Sequence, residues 1–127
     1  MPDKKELTNR EDLLLLMQKF YEKLLADASI SYLFTDIAKI DIKHHLSVLV
    51  DFWDSVLFQN NTYRKNAMQP HIDIHRQSPF TNHHFTTWLS YFTTSVDELF
   101  IGENANQIKQ KAESIATVMK LKTLYNQ

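Results

Sequence analysis

The chain has 127 residues, of which 43% are hydrophobic, 12% aromatic and 23% charged, the balance of one globular domain able to bury roughly two thirds of its unfolded surface. Fourteen basic against fifteen acidic side chains leave a formal net charge of −1, which excludes the broad positive field that a nucleic acid or an anionic membrane would need. No cysteine is present, so disulfides, thiolate metal sites and cysteine nucleophiles are excluded; with a charged start, Met1-Pro2-Asp3-Lys4-Lys5-Glu6, and no apolar run near the ~18 residues that span a bilayer, the chain reads as a cytoplasmic single domain over residues 1–127.

One glycine and three prolines are too few for a sheet laced by tight hairpins, and apolar residues recur at intervals of three and four, so the fold is expected to be all-α. Thr8 and Glu11 have the spacing of a capping box ahead of Leu13, Leu16, Met17, Phe20 and Leu24, which predicts a first helix starting near Thr8 with Tyr21 beside its apolar face. After a short segment ending in Tyr32-Leu33-Phe34, a second helix is predicted from about Asp41, with Ile42, His45, Leu46, Leu49, Phe52, Trp53 and Val56 as one stripe. The polar stretch from Gln59 to Gln69 reads as a loop leading to a turn at Pro70 and His71. A third helix follows from about Thr81, carrying Phe85, Trp88, Leu89, Phe92, Val96, Leu99 and Phe100, with Gly102 placed to end it. A fourth begins after Asn104, with Ile108, Ala112, Ile115 and Met119 inward. Periodicity alone leaves open whether these helices form a bundle or a globin.

Six histidines fall in pairs: His44 and His45 in the second helix, His71 and His75 beside the loop, His83 and His84 at the start of the third. A neutral imidazole at the edge of an apolar, aromatic interior is a candidate axial ligand for haem iron. Phe20, Phe34, Leu49, Phe52, Phe85, Trp88 and Phe92 offer apolar walls, though the same residues suit any aromatic core. By spacing alone, His71 is equally a surface loop histidine, His45 a hydrogen-bonded core histidine, and Tyr21 and Trp88 packed aromatics with bonded polar tips.

The ordered set Phe20-Tyr21-Glu22-Lys23, Tyr32-Leu33-Phe34, His45-Leu46, Asp51-Phe52-Trp53, Tyr63, Met68-Gln69-Pro70-His71, His84-Phe85-Thr86-Thr87-Trp88-Leu89 and Thr94-Ser95-Val96-Asp97-Glu98-Leu99-Phe100 resembles the group III truncated haemoglobins from about Leu13 to Met119. The resemblance implies a two-on-two helical sandwich around haem b. It places the proximal iron ligand on His71 and the distal pocket on Tyr21, His45 and Trp88, with Phe34 stacking on the haem, Leu49, Phe52 and Trp53 at distal-helix positions, and His44 pointing away. Three positions depart from the family's habit: Ile42 where a Trp is common, His75 where a Pro is common, and Thr87 for a frequent Arg. The last leaves Arg64, Lys65 and Arg76 as cationic candidates near the propionates.

With Tyr21 and Trp88 as donors, a diatomic ligand such as dioxygen or nitric oxide should leave slowly, which points to redox chemistry or sensing rather than delivery. Nitric-oxide dioxygenation or peroxide reduction would draw electrons from a separate reductase, since no dinucleotide fingerprint occurs. The expected state is a monomer. Two other classes stand beside this reading. One is a non-haem metal protein, with His71 and His75 sharing a divalent ion if their segment is helical. The other is a haem-free interaction domain on a globin scaffold.

Overall fold

A computed structural model describes residues 4–60 and 68–124, with the side chain of Met68 left aside; Tyr63, Arg64 and Lys65 lie outside the described residues. The helices are α1 (Arg10–Ala26), α2 (Ala28–Tyr32), a π-helical turn (Leu33–Ile37), α3 (Ile42–Phe58), α4 (Met68–Gln77), α5 (Asn82–Leu99) and α6 (Glu103–Thr123). The four expected helices are α1, α3, α5 and α6. The structure adds α2, the π turn and α4.

The first cap lies one residue later than its spacing suggested. Asn9, not Thr8, is the extended residue whose side chain accepts from the Asp12 N–H. Asp12 replaces Glu11 as the acidic partner, accepting from the Thr8 N–H at 2.9 Å, the Thr8 hydroxyl and the Lys5 ammonium. The buried face of α1 is Leu13, Leu16, Met17, Phe20, Tyr21 and Leu24, the three-and-four spacing of an amphipathic helix. Asp27 closes α1 and caps α2, since its extended backbone leaves the helix while its carboxylate accepts from the Ser29 N–H.

The second helix starts where expected, with Asp41 as its cap, and Gln59 ends α3 in the left-handed region at φ 61°. α4 already includes Met68 and Gln69, so the polar loop is shorter than expected at that end. Pro70 lies in the helix's first described turn. α5 starts where expected, and Thr81 is its cap. Gly102 does not end α5, which stops at Leu99 with Phe100 extended; it opens α6 instead, at φ 102°. A Cβ there would sit 3.0 Å from a Glu6 carboxylate oxygen, so both the backbone angle and the close approach call for glycine.

The pair α1 and α3 packs face to face on the pair α5 and α6, mainly through α1 against α5 with α3 touching α6. This is the expected two-on-two sandwich. Phe20 and Phe92 are fully enclosed where the layers meet, ring edge to ring face at 5.1 Å, with Trp53 tilted on Phe92 at 5.2 Å. α4 stands apart from this double layer, with α6 and the π turn as its close neighbours. Among the described residues no helix is long and apolar enough to cross a membrane.

Candidate functional site

The antiparallel packing of α1 on α3 brings Tyr21, late in α1, to His45, early in α3, with the phenol oxygen 2.8 Å from His45 Nε2. Tyr21 is 4% exposed. Burial pushes its phenol well above the ordinary range, so the hydroxyl keeps its proton and remains a hydrogen-bond donor. Its ring meets Phe20, Phe34 and His45 edge-on, each at 5.4 Å. Phe34 is supplied by the π turn.

His45 is half-buried, and its pKa is lowered first by desolvation and then by the charges that His71 and His44 would carry. It is neutral, with one ring nitrogen donating and the other accepting. His71, in α4, is near enough for its charge to bear on His45, although the close packing partners of these helices are other elements. His44, one residue along, is exposed, as expected.

The flank of α3 that carries His45 also carries Ile42, Leu49, Phe52 and Val56, at spacings of three and four. All four are only partly buried, whereas Val50 and Trp53 are enclosed. Phe34, Ile74 of α4 and Trp88 of α5 are likewise partly covered. Apolar side chains from four elements are thus left half-covered, and two of those elements, α3 and α4, carry His45 and His71. That donor set and lining fit a flat, apolar, iron-bearing group such as haem.

Trp88 lies parallel to Phe92 at 5.7 Å and edge-on to Phe20 at 5.7 Å, so it is joined to Tyr21 through Phe20. Phe85 is buried and meets Phe80 edge-on. The structure therefore gathers Tyr21, His45, Phe34 and Trp88 around one aromatic knot. It places Leu49 and Phe52 on His45's own flank. Phe85 packs towards the α4–α5 turn. Arg76 is exposed in the last turn of α4.

The helical α4 does realise the four-residue spacing of His71 and His75, but His75 Nδ1 accepts from the Phe80 N–H at 2.9 Å. Among the described residues no group of three or more metal-ligating side chains converges. Asp27, Ser29 and His83 also lie together. Ser29 donates its hydroxyl proton to Asp27 at 2.6 Å, and His83 Nε2 meets the same oxygen from the other side at 3.0 Å. The imidazole is thus no base for that hydroxyl, and the trio lacks the order of a nucleophilic triad.

Sequence reasoning overlooked the work of His84. It is buried, its Nδ1 accepts from the Thr81 N–H at 3.0 Å, and its Nε2 lies 3.0 Å from the Tyr32 hydroxyl. Thr81-Asn82-His83-His84 is a capping box with histidine where glutamate is usual, and that substitution hid it.

A family model described as bacterial-like globin matches residues 7–123. The chain is 29% identical over 115 residues to the group 3 truncated hemoglobin of Campylobacter jejuni, covering 88% of each chain. A crystal structure of group III truncated hemoglobin from Campylobacter jejuni superposes with a TM-score of 0.84 at 29% identity, covering 95% of each chain. The resemblance drawn from the ordered motifs is borne out.

Proposed function

Because this chain belongs to the bacterial-like globin family, we propose that it is a haem protein in which His71 would hold the iron and Tyr21, His45 and Trp88 would govern a small ligand. Family membership implies the haem cofactor and the handling of small gaseous ligands. The finer reading is haem b and a redox or sensing role. When bound, haem supplies an iron centre for a diatomic ligand and for one-electron chemistry. The observation that carries the reading is the Tyr21–His45 hydrogen bond on the half-covered flank of α3.

Each residue's part follows from its surroundings. His71 stands in a helix that packs outside the double layer, so it would hold the iron without any change to the core. Tyr21 offers the O–H that burial keeps protonated. Where His45 Nε2–H donates to the phenol oxygen, that O–H points onward to a ligand; in the other tautomer His45 consumes it. His45 therefore controls whether Tyr21 can donate. Trp88 has one N–H, held in place by Phe92 and Phe20. Two such donors in an apolar pocket retain a partly negative ligand, which suits nitric-oxide dioxygenation, peroxide reduction or sensing better than rapid delivery. Electrons come from a separate reductase, since the chain's lone glycine cannot build a Gly-rich dinucleotide loop.

The test is the visible absorption spectrum as purified, after haem addition, and after reduction with and without carbon monoxide, beside His71→Ala. A stoichiometric Soret band that shifts with carbon monoxide and is lost or altered in the variant is the expected result. Absence of specific haem uptake would overturn it and leave a haem-free globin scaffold.

A further inference from the structure

Between α4 and α5 the chain turns through Ser78-Pro79-Phe80-Thr81, and every backbone donor in that turn has a known destination. The Ser78 N–H goes to the Ile74 carbonyl at 2.8 Å, ending α4. Pro79 has none to give. The Phe80 N–H goes to Nδ1 of His75 at 2.9 Å, and the Thr81 N–H goes to Nδ1 of His84 at 3.0 Å. Two adjacent amides are thus taken by two imidazoles, one from each helix. The Phe80 ring lies within 5.5 Å of His75 and 6.3 Å of His84, and is itself buried.

We propose that His75 and His84 are positioning residues, a two-imidazole clasp on the α4–α5 turn that sets where α4 holds His71 and where α5 holds Trp88. The spacing supports this. His75 lies four residues after His71, and His84 lies four residues before Trp88, so each clasp imidazole is one turn from a site residue on its own helix. The clasp also reaches a third element. The Tyr32 hydroxyl meets His84 Nε2, and Tyr32 is the last residue before the π turn that supplies Phe34. With Nδ1 accepting, each ring carries its proton on Nε2, and His84 Nε2–H donates to the Tyr32 oxygen. Because α4 packs outside the double layer, the turn is a principal tie between its C-terminal end and α5.

The inference rests on His71 being the iron ligand, and its test separates the two ideas. In the haem-loaded protein, amide hydrogen exchange at Phe80 and Thr81 and the ferrous iron–histidine stretching frequency are measured for the parent chain, H75L, H75N, H84L and H84N. Asparagine places Oδ1 where Nδ1 of histidine stood and can accept the same N–H; leucine cannot. The expected result is exchange at least tenfold faster at the amide concerned in each leucine variant, with a shifted or broadened iron–histidine band, and recovery of both in the asparagine variants. Unchanged exchange in the leucine variants, or faster exchange with an unmoved band, overturns the positioning role. If H71A retains the parent band, the ligand assignment has failed and the positioning role falls with it. The exchange data then still report whether the two imidazoles hold the turn.

Discussion

Tyr21 shows how burial converts an ordinary side chain into a committed donor. Enclosed by Phe20, Phe34 and His45, its phenol stays protonated far above neutral pH, and its oxygen is already within 2.8 Å of the histidine that competes for that proton. Tyr21→Phe keeps the ring packing and removes only the hydroxyl. Dioxygen release from the reduced haem protein should then speed about tenfold, the worth of one hydrogen bond of ~1–1.5 kcal/mol, as read by stopped-flow displacement with carbon monoxide. An unchanged rate would remove Tyr21 from the ligand's environment. The same hydroxyl was present in the sequence, yet an amphipathic tyrosine on an apolar face is as common in plain cores. Only the proximity of His45, 24 residues away, gives it a chemical partner.

Among the helices, ends matter as much as faces. Asn9 is the cap of α1, and Asn9→Ala should cost about 1 kcal/mol in denaturant-determined stability; an equal loss from Thr8→Ala would contradict the observed cap. At the start of α5 the capping histidine makes stability depend on acid. Burial holds His84 below its ordinary value of 6.5, and desolvation together with His71 and His44 does the same to His45. The unfolded chain therefore takes up protons that the fold refuses as pH falls below about 6.5, so stability is kept above that value and declines beneath it. Asp27, held at about 2 by the Ser29 and Tyr91 hydrogen bonds, contributes stability that is lost only well below this window. Urea midpoints at pH 7.5 and 5.5 should therefore fall with acid, and fall less in His84→Asn. An identical acid response in that variant would clear His84 of the effect.

At the scale of the whole molecule, two layers enclose the Phe20–Phe92 core while α3's His45 flank stays half-covered. A ligand that seals this flank binds the folded chain alone and stabilises it by mass action. With free haem at a hundred times its dissociation constant, that is ~2.7 kcal/mol, or a rise in melting temperature of roughly 10 °C for a chain of this size. The rise should shrink in His71→Ala, as followed by thermal melts with and without haem; an equal rise in both would place haem elsewhere. The sequence by itself determined the helical class, the inward faces of α1, α3, α5 and α6, the starts of α3 and α5 near Asp41 and Thr81, and through its ordered motifs the family. Those are properties of local periodicity and side-chain chemistry, and they survive without knowledge of the fold. It did not reveal the short α2 and π turn, α4, the Asn9–Asp12 cap or the part played by Gly102, because a five-residue helix carries too little period to detect and Pro70 reads as a break wherever it stands. The Tyr21–His45 bond and the paired imidazoles on the α4–α5 turn were decided by tertiary structure alone. Each depends on which helix packs against which, and side-chain spacing within one helix carries no information about the distance to another.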